Sequence, residues 1–232
     1  MRLNRYLALC GIGARRKVEK LIKEGRVKVN GVKIDKPWYD VKEKDVVELD
    51  GRKLDLKNST YIIINKPSNV LTTKKDEFGR RTIISLLPSK FKHLFPVGRL
   101  DLDAKGLVLL TNDGELAYKL THPKFEIEKE YIVKTKGKLL KGCIKKVKRG
   151  IQNDKEIYRV KRIKILKKDK ENILFKLILT EGKHREIKKI MKKINLTVTE
   201  IKRIRIGPLR LGRLKEGEWR YLTKKEIEAL KK

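Results

Sequence analysis

The sequence predicts an α+β fold in two parts, a small module of helices and strands over residues 1–58 and a larger mixed domain over residues 59–232. Three features predict it. Within the first sixty residues, two stretches of helical spacing are followed by short alternating strands around turn dipeptides. A short polar stretch, residues 55–60, then breaks the pattern and reads as a linker. Beyond it lie apolar runs of strand length and one helical segment, without the regular alternation of a Rossmann fold.

In the first module, residues 3–10 carry apolar side chains at Leu3, Leu7 and Cys10. After Gly11 and Gly13 a second helical stretch groups Val18, Leu21 and Ile22 on one face, and Gly25 ends it. Residues 27–34 alternate apolar and charged around Asn30-Gly31, a strong short-range signal for a tight hairpin. A further strand at 46–49 leads into a turn at Asp50-Gly51. Arg2, Arg5, Arg15, Arg16, Lys17 and Lys20 bracket the first helix and open the second. Taken alone, this is a solvated basic helical hairpin or a phosphate-binding surface. The wording is more specific: Arg2-Leu3-Asn4-Arg5-Tyr6-Leu7-Ala8, Ala14-Arg15-Arg16-Lys17 and Glu24-Gly25-Arg26-Val27-Lys28-Val29-Asn30-Gly31 resemble the S4-type RNA-binding domain. The resemblance implies a small α/β domain whose Arg2, Arg5, Arg15, Arg16, Lys17, Lys20 and Arg26 meet RNA backbone, which fits the physics of phosphate neutralisation.

The second domain starts at Tyr61, where residues 61–64 form a buried-strand run closed by Asn65-Lys66-Pro67. A polar loop containing Gly79-Arg80-Arg81 follows. Residues 106–111 give another buried strand, ending in a turn at Asp113-Gly114. Further strands are expected at 130–135, 157–166 and 173–180, and residues 185–194 have helical spacing at Ile187, Ile190, Met191 and Ile194. Thr223-Lys224-Lys225-Glu226 is a capping box opening a last short helix.

Composition narrows the function. The chain has 62 Lys and Arg against 29 Asp and Glu, a formal net charge of +33, and that excess implies a polyanionic partner. Both parts share it, at +7 for residues 1–58 and +26 for the rest. Heat adaptation would raise acidic residues along with lysine to form ion-pair networks, and here they do not rise, so nucleic acid is the better reading. Apolar runs such as 61–64 and 107–110 are far too short to span a bilayer. The first residues only faintly resemble a secretion signal, because the apolar stretch is too short and Arg15-Arg16 follow at once. Two cysteines, Cys10 and Cys143, suit a reducing cytosol, and His93, His122 and His184 lack metal-ligand spacing, so neither a disulfide framework nor a structural metal is expected.

The most informative stretch runs from Gly98-Arg99-Leu100-Asp101 through Gly106-Leu107 to Thr111-Asn112-Asp113-Gly114. It puts an arginine and carboxylates on a loop just before a strand too apolar to be exposed, a placement suited to catalytic groups. By itself the pattern fits an ordinary loop ion pair between Arg99 and Asp101 equally well. With Ile64-Asn65-Lys66-Pro67, Glu128-Lys129-Glu130-Tyr131 and Glu181-Gly182-Lys183-His184-Arg185-Glu186-Ile187-Lys188-Lys189, it resembles the pseudouridine synthases, in the subgroup that modifies ribosomal RNA and carries an N-terminal S4-type domain.

That resemblance implies a mixed, mainly antiparallel-sheet catalytic domain that isomerises uridine to pseudouridine without cofactor or metal. Asp101 matches the catalytic aspartate, Tyr131 the active-site tyrosine near the target base, and Lys188 the basic residue paired with the aspartate. Arg99 matches the residue that keeps the target nucleotide out of its stack, and Lys183 and Arg185 join the RNA-binding set. A nucleophilic carboxylate must be ionised, and a basic partner favours that form while burial opposes it. Attack on C1′, a base adduct and a glycal intermediate all remain open at this level. Tyr131 offers an aromatic face and a hydroxyl, although a half-buried strand tyrosine would look the same.

Two departures stand out. Ala104 and Lys105 occupy positions where relatives commonly carry Ser or Thr, and Lys183 and Lys188 stand where many use Arg, giving a point charge in place of a planar fork. Asp103 and Asp113 are read as loop and turn structure. The tail, Lys202-Arg203-Ile204-Arg205-Ile206-Gly207-Pro208-Leu209 with Gly217-Glu218-Trp219-Arg220-Tyr221-Leu222-Thr223, is most similar to members acting on large-subunit RNA. The expectation is a cytoplasmic, monomeric enzyme acting on 23S ribosomal RNA or a ribosomal assembly intermediate, with no membrane and no protein partner. A small-subunit 16S target, an RNA-binding assembly factor without catalysis, and a DNA-binding protein are the rivals.

Overall fold

A computed structural model describes every residue of the chain except Lys57, Asp154 and Lys155, so part of the expected linker lies outside the described residues. The chain divides into two units, Met1–Thr60 and Tyr61–Lys232.

In the first unit α1 (Leu3–Leu9) and α2 (Arg15–Lys23) precede a four-stranded sheet of β1 (Val27–Val29), β2 (Val32–Lys33), β3 (Val47–Leu49) and β4 (Arg52–Lys53), in the order β2-β1-β3-β4. Leu3, Leu7, Val18 and Ile22 on the helices pack on Val27, Val29 and Val47 of the sheet. Local chemistry sets the connections. Gly25 takes φ +68°, its N–H donates to the Ile22 carbonyl and that of Arg26 to Leu21, which is a Schellman stop. Asn30-Gly31 and Asp50-Gly51 both take positive φ at each residue, as tight hairpin turns require.

The second unit is built on a nine-stranded sheet. Its strands are β5 (Tyr61–Lys66), β6 (Phe95–Val97), β7 (Lys105–Thr111), β8 (Lys129–Lys136), β11 (Arg162–Lys168), β12 (Asn172–Leu179), β13 (Thr197–Ile206), β14 (Leu209–Arg210) and β15 (Trp219–Tyr221). A separate hairpin pairs β9 (Ile151–Asn153) with β10 (Glu156–Tyr158). The main path is β11-β12-β8-β13-β7-β5-β15, with β6 on β7 and β14 on β13. Every pairing is antiparallel except that of β13 with β7. The helices are α3 (Gly114–Thr121), α4 (Cys143–Arg149), α5 (Glu186–Lys192) and α6 (Lys224–Lys231).

Both faces of the central strands are covered, which is why residues 61–64 of β5 and 107–110 of β7 are unbroken apolar runs and do not alternate. Ile62, Ile64, Val108 and Leu110 face one core with Tyr131, Phe175 and Ile187, Ile190 and Met191 of α5. Tyr61, Ile63, Leu107 and Leu109 face the other with Leu116 and Leu120 of α3 and Leu230 of α6. Gly106 sits at the parallel junction, where an added Cβ would come 2.2 Å from the Arg203 carbonyl oxygen and its own φ is +109°. Only glycine allows β7 and β13 to approach so closely there.

Three expectations need correction. Asp113-Gly114 is no simple turn: the Asp113 carboxylate accepts the N–H groups of Glu115 and Leu116 and caps α3, a helix with no prior assignment because its eight residues follow a buried strand directly. The strand expected at 157–166 is two, since the chain leaves β10 at Tyr158 and re-enters the main sheet at Arg162. Strand β5 runs on through Asn65 and Lys66, both buried.

Candidate active site

The loop between β6 and β7 leaves the sheet at Gly98, whose φ is +73°, and turns between Asp101 and Ala104, where the Ala104 N–H donates to the Asp101 carbonyl. Leu100 and Ala104 are buried and hold the loop on the core, while Asp101 between them is half-buried and Arg99 is exposed. Neighbouring chain braces both sides of Asp101. The Thr72 hydroxyl donates to the Leu100 carbonyl at 2.9 Å and accepts its N–H at 3.2 Å, and the Asn69 N–H donates to the Leu102 carbonyl at 2.9 Å.

Beneath the loop lies Lys66, fully buried at the end of β5. Its ammonium donates to the carbonyls of Val70 at 2.7 Å, Pro67 at 3.1 Å and Leu102 at 3.1 Å. Burial pushes its pKa down to about 8, against the favourable charges of Asp103 and Asp101. A buried lysine with three carbonyl acceptors ties the end of β5, the following turn and the loop that carries Asp101 into one piece. The Asn65-Lys66-Pro67 motif includes it, but only burial shows what the side chain does.

The loop forms one wall of a cleft holding about 460 Å³ of empty space, part of it open to solvent. Arg99, Asp101, Tyr131, Lys183, Arg185, Glu186 and Lys188 all line it. Six of these seven were singled out from the sequence. Tyr131 comes from β8, 6% exposed, in register with Leu177 of β12 and Arg203 of β13. Glu128 and Glu130, which precede it in the sequence, are structural: Glu128 Oε2 and Glu130 Oε2 accept from the Arg205 guanidinium at 2.8 and 3.0 Å.

Lys188 stands on the first turns of α5, and its partner corrects the expectation. Its ammonium pairs with Asp103 Oδ2 at 2.5 Å, and no ion pair with Asp101 forms. Burial raises the Asp103 pKa, but the hydrogen bond and charge of Lys188 outweigh it and hold the carboxyl below its ordinary value. Asp103, expected to be loop structure alone, thus links the loop that carries Asp101 to α5, two segments 85 residues apart. Arg185 occupies a left-handed conformation, φ +53°, as it enters α5, an uncommon setting for a long side chain.

Glu186 is the group that sequence reasoning missed. It is 4% exposed, one carboxylate oxygen accepts the Lys183 N–H at 3.1 Å, and the other has no partner. Burial pushes its pKa up to about 7. Lys129, its near neighbour, is buried with its ammonium on the Ile127 and Thr180 carbonyls, and burial lowers its pKa.

Of the residues expected to meet RNA, Arg2, Arg15, Arg16, Lys17 and Lys20 are exposed on the first unit and Arg5 is half-buried there. Two others are engaged with the protein itself. Arg26 makes a two-pronged contact with Asp50 at 2.9 and 2.5 Å, because the turn at Asp50-Gly51 brings that carboxylate to the end of α2. Lys183 donates to the Ile157 carbonyl at 2.8 Å, pairs with Glu181 at 2.8 Å and lies 5.6 Å from the Tyr158 ring centre. Lys105, the departure noted beside Ala104, points its charge at Glu216, 3.2 Å away, and Glu200, 3.8 Å away.

Comparison with known proteins agrees with this architecture. Residues 60–193 match the family described as RNA pseudouridylate synthase, and residues 1–47 match the S4 domain. An uncharacterized RNA pseudouridine synthase of Aquifex aeolicus (strain VF5) is 38% identical over 232 residues, 99% of this chain and 93% of its own. The ribosomal large subunit pseudouridine synthase B of Bacillus subtilis (strain 168) is 36% identical, covering 99% of this chain and 95% of its own. A crystal structure of a pseudouridylate synthase superposes with a TM-score of 0.70 at 29% identity, covering 99% of both chains. A braced aspartate loop, a tyrosine on the neighbouring strand and an N-terminal RNA-binding module therefore stand together in a chain that belongs to the RNA pseudouridine synthase family.

Proposed function

We propose that this enzyme isomerises one uridine of large-subunit ribosomal RNA, with Asp101 as the nucleophile. The observation that carries the reading is the meeting of Asp101, Tyr131 and the cationic Arg99, Arg185 and Lys188 at one cleft, in a chain similar along its whole length to a protein named for the large subunit. The reaction conserves atoms. The bond from C1′ to N1 breaks, the detached uracil turns, C1′ joins C5, and the proton leaving C5 is balanced by one gained at N1. Tyr131 lies against the uracil during the turn. Lys188 acts through Asp103, fixing the loop that presents Asp101. A uridine inside folded RNA must leave its stack, at a cost of a few kcal/mol by analogy with other base-modifying enzymes. Phosphate contacts to the S4 domain, residues 1–58, and to Arg99 at the mouth of the cleft offset it.

The reading places the enzyme in the cytoplasm as a monomer on ribosomal RNA or an assembly intermediate. Among the described residues no helix is long and apolar enough to cross a membrane. Pseudouridine mapping across both ribosomal RNAs, in cells lacking the protein and in cells complemented with wild type or Asp101→Asn, tests it. Loss of one large-subunit site restored by wild type alone is expected. An unchanged map overturns the reading, and a lost small-subunit site overturns the choice of target.

A further inference from the structure

Between β5 and β6 the chain makes an excursion whose tip, residues 74–81, carries the most exposed large apolar side chain among the described residues. Phe78 is 81% exposed. Its surroundings are built and not slack. The Asp76 carboxylate accepts the Phe78 N–H at 3.1 Å, the Arg80 N–H at 2.8 Å and the Arg80 guanidinium at 2.7 Å, closing the tip into a ring of hydrogen bonds. Arg80 then lies 5.1 Å from the centre of the Phe78 ring, one charged plane against an aromatic face. Four basic side chains, Lys74, Lys75, Arg80 and Arg81, face two acidic ones there, and one of those, Asp76, is neutralised by Arg80.

The stem of this excursion is the same chain that braces Asp101. Thr72 binds both backbone groups of Leu100, Asn69 binds Leu102, and the Ser68 hydroxyl donates to the Asp103 carbonyl at 3.2 Å. Bonds from Leu71 N–H to the Arg81 carbonyl and from Ile83 N–H to the Leu71 carbonyl close the neck. The stem that carries the aromatic tip is therefore fastened to the loop that carries Asp101 by hydrogen bonds on both sides of the aspartate.

The Phe78 ring gains little from folding beyond its contact with Arg80, yet the Asp76 hydrogen bonds hold it out in solvent beside Lys74, Lys75 and Arg81. The partner must offer a flat face to the ring and negative charge to the surrounding cations. An unpaired nucleobase with its phosphates offers both. We propose that Phe78 and Arg80 form a stacking platform for an unpaired base of the substrate RNA close to the target uridine, so that the enzyme recognises a bulged or loop nucleotide beside its site. The proposal rests on the reading of this protein as an RNA-modifying enzyme and adds a determinant of which uridine is chosen.

The test compares full-length wild type with Phe78→Ala, Phe78→Leu and Phe78→Tyr on large-subunit ribosomal RNA purified from cells lacking the enzyme. Binding is measured across a salt series, and isomerisation is measured in single turnover with enzyme in excess. Stacking on one base predicts an affinity about 5- to 150-fold weaker for Phe78→Ala. The slope of affinity against salt should be unchanged, because no cation is removed. Phe78→Tyr should match wild type and Phe78→Leu should resemble Phe78→Ala, since leucine restores apolar area without a π face. Thermal unfolding should be the same for all four, as the ring is exposed. Affinity of Phe78→Ala within two-fold of wild type, or full rescue by Phe78→Leu, overturns the proposal. If wild type isomerises no uridine in this RNA, the functional reading fails instead, while the affinity ranking still decides the stacking.

Discussion

Glu186→Gln is expected to stabilise the catalytic unit strongly at pH 8 and only slightly at pH 5. The side chain is 4% exposed and one of its oxygens lacks a partner. Its pKa rises from 4.5 to about 7, first through burial and further through Glu181, with the Lys183 N–H and the charges of Lys183 and Lys129 opposing. Between pH 4.5 and 7 the unfolded chain gives up this proton while the folded chain keeps it. Stability therefore falls as pH rises through that window, and the loss is complete above the folded pKa. At 1.36 kcal/mol per pH unit the gap corresponds to about 3 kcal/mol. Glutamine has no proton to lose and escapes this term. At pH 5 the folded carboxyl is protonated and only the first half unit of the window has been crossed, so the difference there is below about 1 kcal/mol. Urea unfolding from pH 5 to 8, followed by Trp219 fluorescence in a Trp38→Phe background, reads the difference in the catalytic unit. With a slope of about 2 kcal/mol per molar, the midpoint of Glu186→Gln at pH 8 should lie about 1 to 2 M above that of wild type. Other titrating groups cancel in the comparison. Parallel profiles for the two proteins, or a less stable variant at pH 8, would refute the burial argument.

The ion pair of Lys188 with Asp103 gives a second prediction. Lys188→Met and Asp103→Asn should lower turnover by similar factors, and the double variant should be no worse than either, because both act on one link. Asp103 is 58% exposed, so the coupling in stability should be only about 0.5 to 1 kcal/mol. If Lys188→Met still removes most turnover in the Asp103→Asn background, Lys188 acts on Asp101 or the substrate directly. Third, Lys66→Met should lower kcat by about tenfold or more while RNA affinity stays within a few-fold, since the loop loses its carbonyl anchor but no phosphate contact changes. Leu102 keeps its bond from Asn69, whereas the Val70 and Pro67 carbonyls lose the ammonium. With the Lys66 pKa at about 8, wild-type turnover should decline as pH rises through that value. A pH profile for Lys66→Met that keeps the same alkaline limb would assign it to another group.

Much of this protein was legible wherever the cause is local. Asn30-Gly31 and Asp50-Gly51 made their hairpin turns, Gly25 stopped α2, and Thr223 with Glu226 formed the capping box of α6, because each depends on a few adjacent dihedrals and hydrogen bonds. The apolar runs at 61–64 and 107–110 were found for a related reason: a strand covered on both faces has no polar side to show. The same logic fails at residues 113–121, where a capping aspartate followed by glycine has the composition of a turn, and at 157–166, where β-rich composition hides a break between two sheets. The motif residues Asp101, Tyr131 and Lys188 were picked out by their wording, and the fold gathers them at one cleft.

What the tertiary structure decided are the partners and the charges. Nothing near Lys188 in the sequence indicates that its carboxylate is Asp103 and not Asp101, since the choice depends on how α5 packs beside a loop 85 residues away. Composition gave +33 but not which cations are available, and the fold turns Arg26 to Asp50 and Lys183 to Glu181 and the Ile157 carbonyl. In the sequence Lys66 and Glu186 are ordinary charged residues, and burial lowers the pKa of one to about 8 and raises that of the other to about 7. Sequence fixes which groups can ionise and which turns the backbone can make. Desolvation and distance, which set a group's charge and its partner, exist only once the chain is packed.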